Sequence, residues 1–226
     1  MRRRIVVIAA VSLGISTGGT AEAARPVPDC LRGGARIVAD GALRADSDRP
    51  IRSRTVVVRR RLRPGANESY RANLLACWRP TGRRTVIRRE SQSGLDSGEE
   101  NRVTVVDDRY VGVDTFFYCG PCGTWGGAAV WDARRGRRLH RSSGCPPTQS
   151  GGFTGGGVEE VVFLRGGGMA YLCDQLRIAD RRGDRQLAPP GSEPRELAVT
   201  PDSVRERLYW VTGASGSEQA HSLVLE

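Results

Sequence analysis

Short apolar runs separated by glycine, proline and polar residues dominate the chain. They recur every 8–12 residues or so, roughly the rhythm of an all-β domain. Proline, glycine and β-branched residues return too often for long helices. The runs predict strands at Arg36–Asp40, Thr55–Arg60, Leu74–Arg79, Thr85–Arg88, Val103–Asp107, Tyr110–Tyr118, Ala128–Asp132 and Arg138–Arg141. Further strands are predicted at Val158–Leu164, Met169–Cys173, Leu176–Ala179, Gln186–Ala188, Leu197–Thr200, Leu208–Thr212 and Ser222–Leu225. Ser69 to Trp78 suits a helical turn as well as a strand, because so short a run fits either period.

The same order of parts comes round more than once. Val103 to Val113, Val161 to Leu172 and Leu197 to Val211 each read as strand, tight turn, strand. A second hairpin pattern runs through Val130 to Leu139 and Arg177 to Leu187, with a looser copy at Cys77 to Val86. Its turn glycines, Gly82, Gly136 and Gly183, lie 54 and 47 residues apart. A tight hairpin needs a residue with φ > 0, which glycine supplies without strain. Periods of this size belong to blades and solenoid units.

Four short antiparallel strands per unit is the propeller-blade plan. Three units are complete in the sequence, and a fourth offers three strands before Glu226. The pattern resembles the secreted, propeller-like repeat proteins of high-GC bacteria, with loose similarity to WD40-type and TolB-type blades. Trp131-Asp132 resembles the WD signature but occurs once and lacks an upstream Gly-His. The resemblance implies a propeller-like array of about four blades and a binding platform, without naming a substrate. Such an array either closes by pairing Arg36–Asp40 with the last blade or stays open with an exposed edge.

The N-terminus changes the setting. Arg2, Arg3 and Arg4 precede an apolar run from Ile5 to Ile15, and Ala21-Glu22-Ala23 has the small-x-small form of a cleavage site. Residues 1–23 are expected to be a cleavable export signal, since a membrane-spanning helix needs about 20 apolar residues. Residues 24–226 then form one exported domain with no permanent membrane anchor. All six cysteines, Cys30, Cys77, Cys119, Cys122, Cys145 and Cys173, lie in that part. An even count in an exported chain favours disulfides. Of the 15 or so pairings that six cysteines allow, Cys119–Cys122 is the most local. Cys30–Cys77 with Cys145–Cys173 is the expected arrangement of the other four, one of about three that remain open.

The formal charge is +10. Without residues 1–23, which hold three Arg and one Glu, 32 Arg face 24 acids and the charge is +8. The arginines alternate with Asp and Glu, and there is no lysine anywhere, the mark of a GC-rich coding sequence. No nucleic-acid partner is expected, because that requires clustering on one face. The absence of lysine excludes a phosphate-loop Lys, a Schiff base and a Ser–Lys dyad.

Cys119-Gly120-Pro121-Cys122 has the residues of a thioredoxin-like active loop. That chemistry would use Cys119 as nucleophile and Cys122 as resolving thiol, activated at a helix N-terminus. Gly123, Gly126 and Gly127 before Ala128–Asp132 point instead to a strand, so a disulfide closing a hairpin is expected. The only Ser-elbow spelling, Gly14 to Gly18, lies in the signal. His140 and His221 read as isolated surface histidines, and no metal or cofactor site is expected. Most aromatics fall in strands as packing residues. Trp125 and Phe153 sit in glycine-rich stretches read as loops and are the candidate contact residues. The sequence thus reads as a non-catalytic binding or structural protein whose partner is a protein or envelope component, with thiol–disulfide exchange as the alternative.

Overall fold

The computed structural model describes residues 30, 36–38, 53–64, 70–92, 97–119, 123–143, 145, 147–150, 153–188, 192–201 and 205–225. The proposed signal, residues 1–23, lies outside them. The fold is all-β. Its first sheet is β1 (Arg36–Val38), β2 (Val56–Pro64), β3 (Tyr70–Trp78) and β4 (Arg83–Gln92). The second is β5 (Ser97–Val106), β6 (Tyr110–Cys119), β7 (Gly123–Asp132) and β8 (Arg137–Arg141), joined by β9 (Pro147–Ser150) and β10 (Phe153–Gly157). The third is β11 (Glu160–Phe163), β12 (Met169–Cys173), β13 (Gln175–Asp180) and β14 (Gly183–Gln186). The fourth has β15 (Arg195–Pro201), β16 (Glu206–Thr212) and β17 (Gln219–Leu225). Among the described residues consecutive strands of a sheet pair antiparallel, except that β8 pairs with β7 alone and β9 with β10 alone, while β10 runs parallel to β7. Among the described residues the only helical turn is Arg165–Gly167, and no helix could cross a membrane.

The side-chain alternation of each strand decides which layer it joins. Val56, Val58, Leu74, Ala76 and Ile87 of the first sheet meet Val103, Val111 and Val113 of the second. Tyr110, Ala128 and Val130, on the other face of the second sheet, meet Met169, Tyr171 and Cys173 of the third. Leu172 and Leu176 then pack with Leu197 of the fourth. The four sheets therefore stack face to face in chain order. Each fully buried aliphatic side chain contributes about 1.5–3 kcal/mol.

The same logic resolves the Ser69–Trp78 ambiguity. Leu74 and Ala76 enter one core while Cys77, on the opposite face, bonds to Cys30, so the segment is a strand. The disulfides Cys30–Cys77 and Cys145–Cys173 have Cα separations of 5.9 and 5.5 Å. Both suit an oxidising, extracytoplasmic compartment. Gly82, Gly136 and Gly183 have φ of 66°, 65° and 104°. Each lies in the hairpin between the third and fourth strands of its sheet, where the sequence requires it.

One alternative is decided and two expectations are corrected. Arg36–Val38 pairs with β2 and takes no part in the last sheet, so the array is not closed through it. The tract holding Gly155, Gly156 and Gly157, read as a loop, is strand β10, and β9 before it was also missed. A Cβ on Gly126 would fall 2.1 Å from the Val158 carbonyl oxygen, so glycine is what admits β10 beside β7. Strand β14 starts at Gly183 because a two-residue turn places Gly183 directly opposite Asp180.

Turns of neighbouring sheets are tied to one another at one end of the stack. The Arg54 N–H donates to the Asp108 carboxylate (3.2 Å), and the Thr55 hydroxyl to the Asp108 carbonyl. The Gly166 N–H donates to Asp107 (2.8 Å), and the Arg165 N–H to Glu206 (2.8 Å). These contacts link the first to the second sheet, the second to the third and the third to the fourth.

Candidate binding surface

The opposite end of the second sheet carries Cys119 to Cys122. Strand β6 ends at Cys119, β7 begins at Gly123, and those two residues are register partners. Cys119 and Gly123 thus face each other across a hairpin, and a strand stands where thiol activation would need a helix. Gly120, Pro121 and Cys122 lie outside the described residues, and with them the Cys119–Cys122 pairing.

Beside this hairpin the sequence Phe116-Phe117-Tyr118 sends aromatics to both faces of β6. Phe117 is in register with Trp125, and their rings stack at 4.1 Å with 29° between planes. Trp125 remains 44% exposed. Phe116 and Tyr118, on the other face, are 46% and 38% exposed. Monomeric proteins seldom leave several large aromatics uncovered together, and such clusters mark contact surfaces.

Trp125 and Phe153 are both placed differently from expectation: each lies in a strand, β7 and β10 respectively. Pairing is the cause. Trp125 is opposite Gly156, and Phe153 opposite Ser150, so β9 and β10 turn an expected loop into sheet. The Phe153 side chain is outside the described residues.

Trp125 also borders a groove of about 250 Å³ between the first two sheets. Six residues along β7 the same face presents Trp131, and Gly127 and Ala129 between them leave the floor low. Arg88, Arg138 and Arg141 line its rim. The Arg138 guanidinium stands 6.0 Å from the centre of the Trp131 ring. The Trp131 indole N–H is buried and meets no acceptor among the described residues. A buried donor without a partner is uncommon and costs about 1–3 kcal/mol. Trp131 had been assigned to packing, and it does pack against the first core. Its sequence shows the ring but gives no sign that the nitrogen goes unpaired.

Beneath the groove the polar side chains are committed to one another. The Thr115 hydroxyl donates to Asn101 (2.7 Å), whose amide donates to Glu90 (2.7 Å) and Glu99 (2.9 Å). Arg60 donates to Glu90 (2.9 Å) and Arg88 to Glu99 (2.7 Å). Both buried glutamates are thus held by a guanidinium, an arrangement suited to fixing two sheets together.

Asp132 of the WD-like pair is 1% exposed. Burial alone would raise its carboxyl, but Arg109 donates to it twice (3.2 and 2.7 Å) and the Arg135 N–H once (3.2 Å), holding it below the usual range. It secures the β7–β8 hairpin. His140 is half-buried, and burial lowers its pKa despite Asp180 and Asp184 nearby. His221 bonds to Thr212 (2.7 Å) and stacks on Trp210 at 5.4 Å. Among the described residues no group of three His, Cys, Asp or Glu is placed to hold a metal.

No protein-family model, curated protein or solved structure matches this chain. The site must be read from its own chemistry.

Proposed function

We propose that the chain is an exported, non-catalytic binding protein, built as an open propeller-like array, which engages an envelope component through the aromatic end of its second sheet. The observation that carries this reading is the exposed Phe117–Trp125 stack beside Phe116 and Tyr118. The groove running from Trp125 to the unpaired Trp131 N–H extends that surface and adds one directional donor. Support for the array comes from the face-to-face order of the sheets and the equivalent hairpin places of Gly82, Gly136 and Gly183. Export is supported by the residue 1–23 pattern and by the two disulfides.

Co-sedimentation of the purified chain with isolated envelopes of the producing cells tests the assignment. The chain is expected to pellet with them, and Trp125→Ala to weaken retention by about tenfold, the loss typical of an aromatic anchor, with an unchanged circular dichroism spectrum. Equal retention of the two proteins, or none of either, overturns it.

A further inference from the structure

The fourth sheet stops one strand short of the others. Strand β17 pairs along its whole length with β16, and its other edge has no partner among the described residues. Beside it, between the third and fourth sheets, lies a cleft of about 680 Å³. Leu223, Val224 and Leu225 of β17 all line this cleft. Successive residues of a strand point to opposite faces, so three in a row bordering one cleft means that it reaches the strand's edge. The facing wall presents the half-buried Leu187, just beyond β14, with Ile178 wholly buried behind it.

The rim is basic. Arg165, Arg181, Arg182, Arg185 and Arg205 line it, against Asp180 and Glu206. Both acids are occupied. Asp180 takes two bonds from Arg185 (2.6 and 2.8 Å) and one from the Arg182 N–H (2.8 Å). Glu206 is buried and accepts the Arg165 N–H. Arg181 and Arg205 have no carboxylate partner among the described residues.

We propose that this cleft receives an extended acidic peptide of a partner protein, which adds to β17 as the fourth strand of the sheet. The unpaired edge supplies main-chain hydrogen bonds, the usual source of affinity in strand addition. The apolar wall takes alternate side chains, and Arg181 and Arg205 take carboxylates at the end near Leu225. A second copy of the chain is a poor occupant, since it would bring the same basic rim and, without residues 1–23, a net charge of +8 against this one.

The probe is a short fluorescent peptide, acidic at one end and alternating Val and Thr thereafter, titrated into the full chain by anisotropy. Replacing its acids by Gln is expected to weaken binding by about tenfold, as is Arg181→Ala with Arg205→Ala in the protein. Proline placed in the alternating part should abolish binding, because it removes a ladder donor. Hydrogen exchange should slow in β17 on binding. Indifference to the acids or to the arginine pair overturns the proposal. So does binding with β17 exchange unchanged, or displacement by free citrate alone, which would mark an anion site with no added strand. Dimers in sedimentation that block the peptide would assign the edge to a second copy and overturn it as well. Trp125→Ala should leave peptide affinity untouched, so this result stands apart from the envelope assay.

Discussion

In the third sheet every residue of β12 is buried, whereas β17 of the fourth sheet has no fully buried residue. Both strands are rich in apolar side chains, so composition does not separate them. Strand β12 has a strand on each edge, and its two faces meet the second and fourth sheets. Strand β17 has a partner on one edge alone among the described residues. Burial of a β-strand is thus set by its neighbours on four sides, and the same residue types can form a core in one place and a docking edge in another.

The largest expected contrast comes from covalent and packing changes in the third sheet. Replacing Cys145 and Cys173 by Ser opens a link spanning 28 residues, and a loop of that size is worth about 3–4 kcal/mol. Met169→Ala should cost about 2–5 kcal/mol, while Val224→Ala in β17 costs under about 1 kcal/mol. Urea denaturation measures all three, and equal losses for Met169→Ala and Val224→Ala would erase the distinction.

Next in size is the hydroxyl of Tyr171, which is wholly buried. It donates to Asp184 (2.7 Å), accepts from Arg177 (3.2 Å) and from the Ser143 N–H (3.2 Å), and so ties the third sheet to the chain after β8. Tyr171→Phe removes these bonds, while Asp184 keeps the Ser143 hydroxyl and Arg177, and should cost about 1 kcal/mol.

Acid should act oppositely on the two sheets. At Asp184 burial opposes ionisation, but Ser143, Tyr171 and Arg177 together hold the carboxyl below its ordinary value. A lowered carboxyl stabilises the fold above its unfolded pKa, and that stability is lost as pH falls through the folded one. Asp184→Asn should therefore destabilise at neutral pH, with the difference from the parent closing below about pH 4. Glu206 is raised, chiefly by burial, with the Arg165 N–H acting against it. Its charged form carries a penalty at neutral pH that is relieved as pH falls toward the unfolded value. Glu206→Gln should be neutral to stabilising at pH 7, with the difference vanishing in acid; melting temperatures across pH read both signs.

The smallest contrast compares two turn glycines. A Cβ at Gly136 would stand 2.8 Å from Thr85 Oγ1, whereas at Gly183 it meets nothing within 4 Å. Both have positive φ, so each Ala substitution costs about 1 kcal/mol of backbone strain. Gly136→Ala should cost the more by a few tenths of a kcal/mol, and the reverse order would show that Thr85 moves freely.

All fifteen predicted strands correspond to strands of the fold, because half-buried strands write an alternating pattern into the chain and their turns demand glycine at fixed places. Strand β10 escaped notice because its glycines have no side chain to mark a face, and β9 because Pro-Thr-Gln-Ser offers no alternating apolar positions. Trp125 was singled out by its glycine-rich surroundings, and its place in a strand came from pairing with Phe117 of β6 and Gly156 of β10. Phe116 and Tyr118 were read as ordinary strand residues. Their exposure depends on no sheet covering that end of β6 among the described residues.

The sequence by itself determined the all-β class and the hairpin turns, because these depend on local period and φ > 0 positions; which cysteines meet in the two long disulfides was decided by the fold, which brings Cys30 to Cys77 and Cys145 to Cys173. The tertiary structure alone decided which faces were covered. The unpaired Trp131 nitrogen, the open edge of β17 and the free charge of Arg181 and Arg205 are each defined by a neighbour that is absent among the described residues. A chain encodes its contacts through the residues that make them, and it carries no local mark for a contact left unmade.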